Sequence, residues 1–376
     1  MTDRADVVVV GGGVIGCSIA WALASRGIEG VVVVEREPDV GEGASKANSA
    51  IVHTGFDAKP GTLEAAMLRR AAGLWPEVVE RLGVPFLPVG AVMLARSADD
   101  VDRLRTAIRP TAEAHGVETV LLDRDEVREL APYVTEEAIA GLLVPEESII
   151  DPFWLTRAYA EAAMAGGARV IRGIAVTALS IDADGVDVGL ADGRRIRAAQ
   201  VIDAAGLWAD DVARLAGDGD FAITPRRGQF LVSEESFGVD RIVLPVPGPM
   251  GKGMLVTPIV FGGLLLGPTA LDVSDKWDRG TREDDGEAIR RATASLVPAV
   301  ADAVPVRAFT GLRPVPSTGE FLLRPSAVGD RLWLACGIRS TGISVSPAVA
   351  ERVADDVLAA RGWAARPRTV APPPFE

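Results

Sequence analysis

Three groups of residues in this sequence have types and spacings that could do chemistry. The first is Gly11-x-Gly13-x-x-Gly16, which follows Val7-Val-Val-Val10 and opens an apolar, helix-patterned stretch. Glu35 closes a second valine run 19 residues after Gly16. In such a unit the first glycine permits a tight turn, the second lets backbone approach a pyrophosphate, and the third lets helix pack on strand. Val14 and Ile15 belong to the first helical turn, whose free N–H groups attract phosphate. Glu35 can accept both ribose hydroxyls of an adenosine, with Arg36 beside it. Strand, helix and acid are in register, so the pattern predicts a dinucleotide site; the alternative is a purely structural glycine turn.

The second group is a base. The chain has two histidines. His53, in a loop after the nucleotide-binding half and followed by Thr54-Gly55, is the candidate proton acceptor, because a general base works best with a pKa near neutral. His115 precedes Gly116 at a predicted helix end and reads as a C-terminal cap. The third group binds anions. Arg313, in Gly311-Leu-Arg-Pro-Val-Pro316, lies on a stiff segment, and a planar guanidinium suits bidentate capture of carboxylate or phosphate. Lys252, between Gly251 and Gly253, reads by itself as a solvated turn. Lys46, Lys59 and Arg226-Arg227 read either as charge near a pocket mouth or as exposed cations.

The elements that must position these residues are legible in outline. Two near-continuous valine runs, at 7–10 and 31–34, predict parallel strands buried on both faces. Residues 41–50, GEGASKANSA, form a small-residue loop. Residues 61–82 are helix-patterned, with Pro76 a break or kink. A helix is expected from Ser97 to His115, a capping box at Asp123 and Glu126, and an Asp151-Pro152 start to a helix reaching Ala165. Short strands follow from 168 to 206 and from 221 to 274, with hairpins at Ala191-Asp-Gly193 and Phe261-Gly-Gly263. Glu283 to Leu296 is a helix. The chain closes with a strand over 331–335, a glycine turn and a helix from Ser346 to Ala360.

Composition limits the function classes. A chain of 376 residues, 48% hydrophobic, is long enough for a large core. A net charge of −13 removes the term that dominates nucleic-acid binding. Two cysteines, Cys17 and Cys336, cannot build a four-cysteine iron–sulfur or zinc site, so no metal centre is expected. The apolar run Val7 to Ala24 has three consecutive glycines and an acidic leader, so it reads as strand, turn and helix, not as a membrane span or signal peptide. Forty glycines concentrate attention on the loops where backbone would approach a cofactor.

The fingerprint alone does not choose between FAD and NAD. An NAD domain continues βαβ in one piece, whereas here the nucleotide-binding pieces recur at the start, the middle and the end, a split layout typical of flavoproteins. The motifs then carry a resemblance. Residues 45–64, SKANSAIVHTGFDAKPGTLE, resemble the active-site loop of FAD-dependent glycerol-3-phosphate dehydrogenases and oxidases. L-2-hydroxyglutarate dehydrogenases have a similar loop, and both groups are members of the D-amino-acid-oxidase-like (DAO) flavoprotein superfamily. Thr224-Pro-Arg-Arg-Gly-Gln229, Gly251-Lys-Gly-Met-Leu-Val-Thr-Pro258, Leu266-Gly-Pro-Thr269 and Gly311-Leu-Arg-Pro-Val-Pro-Ser317 resemble the same families, over nearly the whole chain.

The resemblance implies FAD, held non-covalently, with covalent attachment at His53 the alternative known from more distant amine-oxidising relatives. It implies His53 as proton acceptor, Lys252 as a contact to the substrate anion, and Ser49 and Thr341 as substrate hydrogen-bonders. It places Ala44, Ser45, Asn48 and Ser49 at the flavin or pyrophosphate, Val176 at the adenine, and Ala205 and Gly206 along the dinucleotide. Gly337, Arg339, Ser340, Gly342 and Ile343 fall at the flavin pyrimidine. Two departures stand out. Gly337-Ile-Arg-Ser-Thr-Gly342 has Arg339 and Thr341 where the related pattern has an acid and a proline, and Phe261 replaces a common histidine. Arg339 would add a cation to the pocket if it faces inward and little if it does not.

The expected fold is α/β: a Rossmann-like FAD-binding domain (1–84, 148–219 and 307–376) interleaved with a substrate domain on a mixed, largely antiparallel sheet (85–147 and 220–306). The expected function is oxidation of a small anionic secondary alcohol, glycerol-3-phosphate or an L-2-hydroxy acid, by hydride transfer to flavin N5 with His53 as base. A flavin amine oxidase acting on a glycine- or sarcosine-like amino acid is the chemical alternative, and a non-catalytic FAD-binding subunit the alternative of another class. Electrons would leave to O2, a quinone or a carrier protein. A cytoplasmic location is expected, with peripheral contact to the inner membrane face and the oligomeric state left open.

Overall fold

The computed structural model describes residues 3–248 and 253–372. Its first sheet has eight strands built around a parallel core. Asp3–Val10 lies between Val31–Val34 and Arg195–Asp203; Arg169–Ile171 extends one side and Gly329–Cys336 the other, all parallel. The valine runs alternate strictly. Val7, Val9, Val31 and Val33 face the core formed with the helices Val14–Ser25, Pro152–Ala165 and Gly342–Arg361. Val8, Val10, Val32 and Val34 face a second core with Leu179, Val186, Val188, Leu207 and Val212. Both faces are thus dry, which is why polar residues are missing from either phase of the repeat.

The apolar run at 7–24 is a strand, a glycine turn and a helix, as its composition predicts. No described helix is long and apolar enough to cross a membrane.

A second sheet has nine strands. Its spine is the strand Ile223–Ser233, paired antiparallel along its whole length with Arg307–Pro316. The hairpin Leu255–Pro258 and Leu264–Gly267 packs on its other edge. Ile242–Pro245, Ala91–Ala95, Ala140–Val144 and Val120–Asp123 continue it, and the short strand Leu271–Asp272, paired with Arg226–Arg227, is the ninth. A small third sheet pairs Ile51–Val52 and Phe86–Leu87 with Ser148–Ile150.

Several boundaries differ from the sequence reading. Residues 307–316, grouped there with the FAD-binding part, form a strand of the nine-stranded sheet, because their alternating apolar residues pair with 223–232. The break in 61–82 comes at Gly73-Leu74, and Pro76 occupies the first turn of the next helix, where its missing N–H costs nothing. The last helix begins at Gly342, so Pro347 lies inside its first turns. The parallel strand Arg169–Ile171 was not anticipated as a neighbour of Val31–Val34. The capping box at Asp123 and the Asp151 cap, with Pro152 in the first turn, are present.

Candidate active site

A cavity of about 910 Å³ runs between the two large sheets, lined from both. That volume is at the upper end of small-molecule sites. At one end is the glycine turn. Gly11 has φ +106°, and a Cβ there would press on the Ala204 carbonyl; a Cβ on Gly16 would strike the Gly11 carbonyl. Gly16 is therefore a packing position, outside the cavity lining, whereas Gly11, Gly13, Val14 and Ile15 line it. The N-cap, Gly13, provides no side-chain cap, and the first turn has no acid to oppose an anion. The Ser45 hydroxyl accepts the Val14 N–H at 2.9 Å, tying the small-residue loop to the helix start.

Glu35 lines the cavity with its carboxylate fixed by two backbone donors, Gly12 N–H at 2.5 Å and Glu37 N–H at 2.8 Å. Burial raises its pKa, against the two N–H donors that favour the anion. A carboxylate has acceptor positions to spare beyond two bonds, so it can still take ribose hydroxyls. Arg36, also lining, stacks on Trp208 and Trp277, with its guanidinium carbon 4.2 and 4.4 Å from the ring centroids. The bare glycine cradle, a helix start whose own N-cap carries no side chain, and the nearby acid suit a dinucleotide pyrophosphate and ribose.

The same cavity brings together Ala44, Ser45, Asn48, Ser49, Val176, Ala205 and Gly206. Gly337, Arg339, Ser340, Gly342 and Ile343 close its far wall. Asn48 also folds its own loop, donating to Ser45 O at 2.6 Å and accepting Ala50 N–H at 2.8 Å. Gly311 lets that loop lie on the strand Arg307–Pro316, since a Cβ there would run into the Ala47 carbonyl.

His53 lines the same cavity as the 44–49 loop. Its ring is 13% exposed, and Nδ1 lies 2.9 Å from Glu147 Oε2. Glu147 Oε1 accepts Thr54 N–H at 2.7 Å and Thr54 Oγ1–H at 2.8 Å. The pairing follows from strand register. Ile51 sits opposite Ile149 and Val52 opposite Ser148, so one further antiparallel step sets His53 against Glu147. Ser344, in the first turn of the last helix, accepts the His53 backbone N–H at 2.9 Å and donates to Ile51 O at 3.2 Å. His115 does cap its helix, and its Nδ1 also reaches Gly55 O at 2.8 Å. The second histidine therefore braces the loop of the first.

Arg313 projects into the cavity, and its Nη2 donates to Thr269 O at 2.9 Å. Gly228 makes this possible, because a Cβ there would overlap the guanidinium. No carboxylate among the described residues forms an ion pair with Arg313. Burial first, and then the neighbouring Arg226, push its pKa down to about 10. Arg226 lies directly across the strand pair from Arg313 and also lines the cavity, but its fork is taken by Asp272, at 2.6 and 2.9 Å.

Other candidates are occupied or elsewhere. Arg339 donates to Glu64, and Thr341 Oγ1 donates to the other oxygen of the same carboxylate at 2.7 Å. Arg339 touches the cavity with its charge neutralised, and Thr341 is outside the lining. Arg227 is fully buried against Asp285 and Gly280 O. Lys46 pairs with Glu42, Lys59 is exposed, and Phe261 is exposed at a hairpin tip. Lys252 lies outside the described residues. Among the described residues no cluster could hold a metal ion.

Glu147, Glu64 and Ser344 were missed by the sequence reading. Glu64 closes the 45–64 motif, but its partners Arg339 and Thr341 lie some 275 residues away; Glu147 and Ser344 are brought to the site by long-range pairing alone.

Comparison with known proteins gives the family of the chain. Residues 6–356 match the family described as DAO: FAD dependent oxidoreductase. A glycerol 3-phosphate dehydrogenase of Caloramator mitchellensis is 32% identical over 355 residues, covering 93% of this chain and 73% of that one. An L-2-hydroxyglutarate dehydrogenase of Escherichia coli K12 is 28% identical over 272 residues, 71% of this chain and 64% of its own. Among solved structures, the dithionite-reduced L-alpha-glycerophosphate oxidase of Mycoplasma pneumoniae with FAD bound superposes with a TM-score of 0.93 at 29% identity, covering 100% of both chains.

Proposed function

Because the chain belongs to the DAO family of FAD-dependent oxidoreductases, we propose that it oxidises a small anionic secondary alcohol, with glycerol-3-phosphate the first choice and an L-2-hydroxy acid the second. The observation that carries this reading is the juxtaposition of His53 and Arg313 in one cavity. One is a ring nitrogen free to take a proton, and the other a guanidinium without a carboxylate partner among the described residues.

FAD, when bound, supplies the acceptor for the hydride that leaves the carbinol carbon. Gly11, Gly13 and the start of the helix Val14–Ser25 hold its pyrophosphate, Glu35 its ribose, and the 44–49 loop with Gly337–Ile343 its flavin end. We keep the interleaved two-domain division as part of this proposal, with the strand Arg307–Pro316 assigned to the substrate side.

Arg313 binds and orients the substrate anion. In partly dry surroundings the ion pair is worth more than at the surface, so the anion is held in one pose. His53 Nδ1 is engaged by Glu147, which leaves Nε2 as the acceptor. The alcohol O–H bond breaks toward Nε2 while its electron pair stays on oxygen and becomes part of the carbonyl. Such a base is typically worth about 10²–10⁴ in rate. The second half-reaction passes the electrons to O2, a quinone or a carrier. We place the enzyme in the cytoplasm.

An anaerobic panel tests the reading. Loss of the flavin band is followed with glycerol-3-phosphate, L-2-hydroxyglutarate, L-lactate, glycine and sarcosine. An anionic alcohol is expected to bleach it, and Arg313→Met to raise the half-saturating concentration about 30-fold or more, the cost of losing about 2 kcal/mol of ion pairing. Bleaching by glycine or sarcosine and by no alcohol would establish the amine-oxidase alternative instead.

A further inference from the structure

Glu147 is the most deeply placed carboxylate near the reacting end of the cavity, with its side chain 1% exposed. It sits in the turn between Ala140–Val144 and Ser148–Ile150, and no Lys or Arg among the described residues pairs with it. A buried carboxylate without a cation needs donors, and this one has three: Thr54 N–H and Thr54 Oγ1–H on Oε1, and the His53 ring on Oε2. A carboxylate can only accept, so the hydrogen between it and the imidazole belongs to Nδ1. We propose that Glu147 is the positioning residue for His53. It fixes the Nδ1–H tautomer, aims Nε2 at the cavity, and stabilises the imidazolium formed when Nε2 takes a proton.

The proposal rests on the reading of His53 as base. It assigns Glu147 no proton of its own; the carboxylate acts only as acceptor, as in other carboxylate–imidazole pairs. The two oxygens have separate tasks. Oε1 is saturated by the Thr54 donors, which lock the carboxyl rotation, so Oε2 has one direction in which to face the ring. The Ser344 hydroxyl grips the backbone at the same residue, so both the ring and the chain that carries it are held.

Glu147→Gln separates this role from a merely structural one. The amide oxygen replaces Oε1 at the Thr54 donors, and the NH2 then faces His53 Nδ1, driving the ring proton to Nε2 and blocking the basic site. With two histidines in the chain, 15N-histidine NMR of the FAD-loaded protein resolves both rings, and a His53→Asn spectrum assigns them. The wild type is expected to show neutral His53 as the Nδ1–H tautomer. Glu147→Gln is expected to show Nε2–H, with the imidazolium pKa lowered by about one unit or more. Flavin reduction should slow about 100-fold or more, with its acid limb moved to lower pH.

Thr54→Val, which removes one of the two donors to Oε1 but keeps the backbone bond and the carboxylate, should leave the proton on Nδ1. A wild-type spectrum showing the Nε2–H tautomer overturns the proposal even if the glutamine variant does not fold. So does a folded Glu147→Gln with wild-type tautomer, pKa and reduction rate. If His53→Asn itself reduces the flavin within about threefold of the wild-type rate, the base assignment fails, and the NMR result still decides the tautomer separately.

Discussion

At the scale of single residues, the site is organised by which charges are compensated and which are left open. Arg339, Arg226 and Arg227 each have a carboxylate, whereas Arg313 is satisfied by one carbonyl. That difference, not the number of cations, is the ground on which Arg313 is proposed as the anion contact. Asp203 is the opposite case. It ends the strand Arg195–Asp203 with no exposure; Oδ1 accepts Ala205 N–H at 3.0 Å, and Oδ2 has no partner. Burial holds its pKa well above the ordinary value of 3.8. The unfolded chain therefore ionises Asp203 first, and this residue subtracts stability as pH rises from about 4 through its raised folded value. Asp203→Asn keeps the Ala205 bond and removes that penalty. Its melting temperature at pH 7 with saturating FAD should exceed the wild type's by about 2 °C or more, with the gap closing below pH 4. A lower melting temperature, or a gap independent of pH, would show that the carboxylate is not the cost.

At the scale of elements, positions are set by strand register and by backbone contacts that a side chain would obstruct. The valine runs, the glycine turn and Glu35 were legible because each signal lies within about 30 residues of its partner in the sequence. The His53–Glu147 pair spans 94 residues and the Arg339–Glu64 pair 275. Their partners are fixed by sheet pairing and helix docking, which leave no local periodicity to read. For the same reason Arg339 was open in the sequence: a cation before a helix start looks alike whether or not a distant Glu64 neutralises it. Gly311 shows how narrow the tolerance is, since the loop that would hold the flavin lies against its missing side chain. Gly311→Val must displace Ala47 and the loop around it. An overpacking cost of roughly 1–3 kcal/mol corresponds to about tenfold or more in the FAD dissociation constant, readable by quenching of flavin fluorescence. An unchanged constant would mean the loop does not bear on the cofactor.

At the scale of the whole molecule, a chain of net charge −13 surrounds a cavity with Arg36, Arg226, Arg279, Arg313 and Arg339 in its walls. Most of that positive charge is internally balanced, and Arg313 is left without a carboxylate partner among the described residues. The two large sheets have separate tasks: the parallel one presents the glycine turn and Glu35, and the mixed one presents Arg313. His53 is held between them by the small sheet and the last helix. The account therefore stands on C–H oxidation of an alcohol whose anion sits on Arg313 and whose proton goes to His53. Rapid anaerobic mixing with glycerol-3-phosphate, protiated or deuterated at C2, tests this most directly in wild type and His53→Ala. Deuterium is expected to slow flavin reduction several-fold in the wild type, and the His53→Ala substitution to slow it by about 10² or more with the protiated substrate. Flavin that stays oxidised with this and every other anionic alcohol, or a His53→Ala rate within about threefold of the wild type, would contradict it.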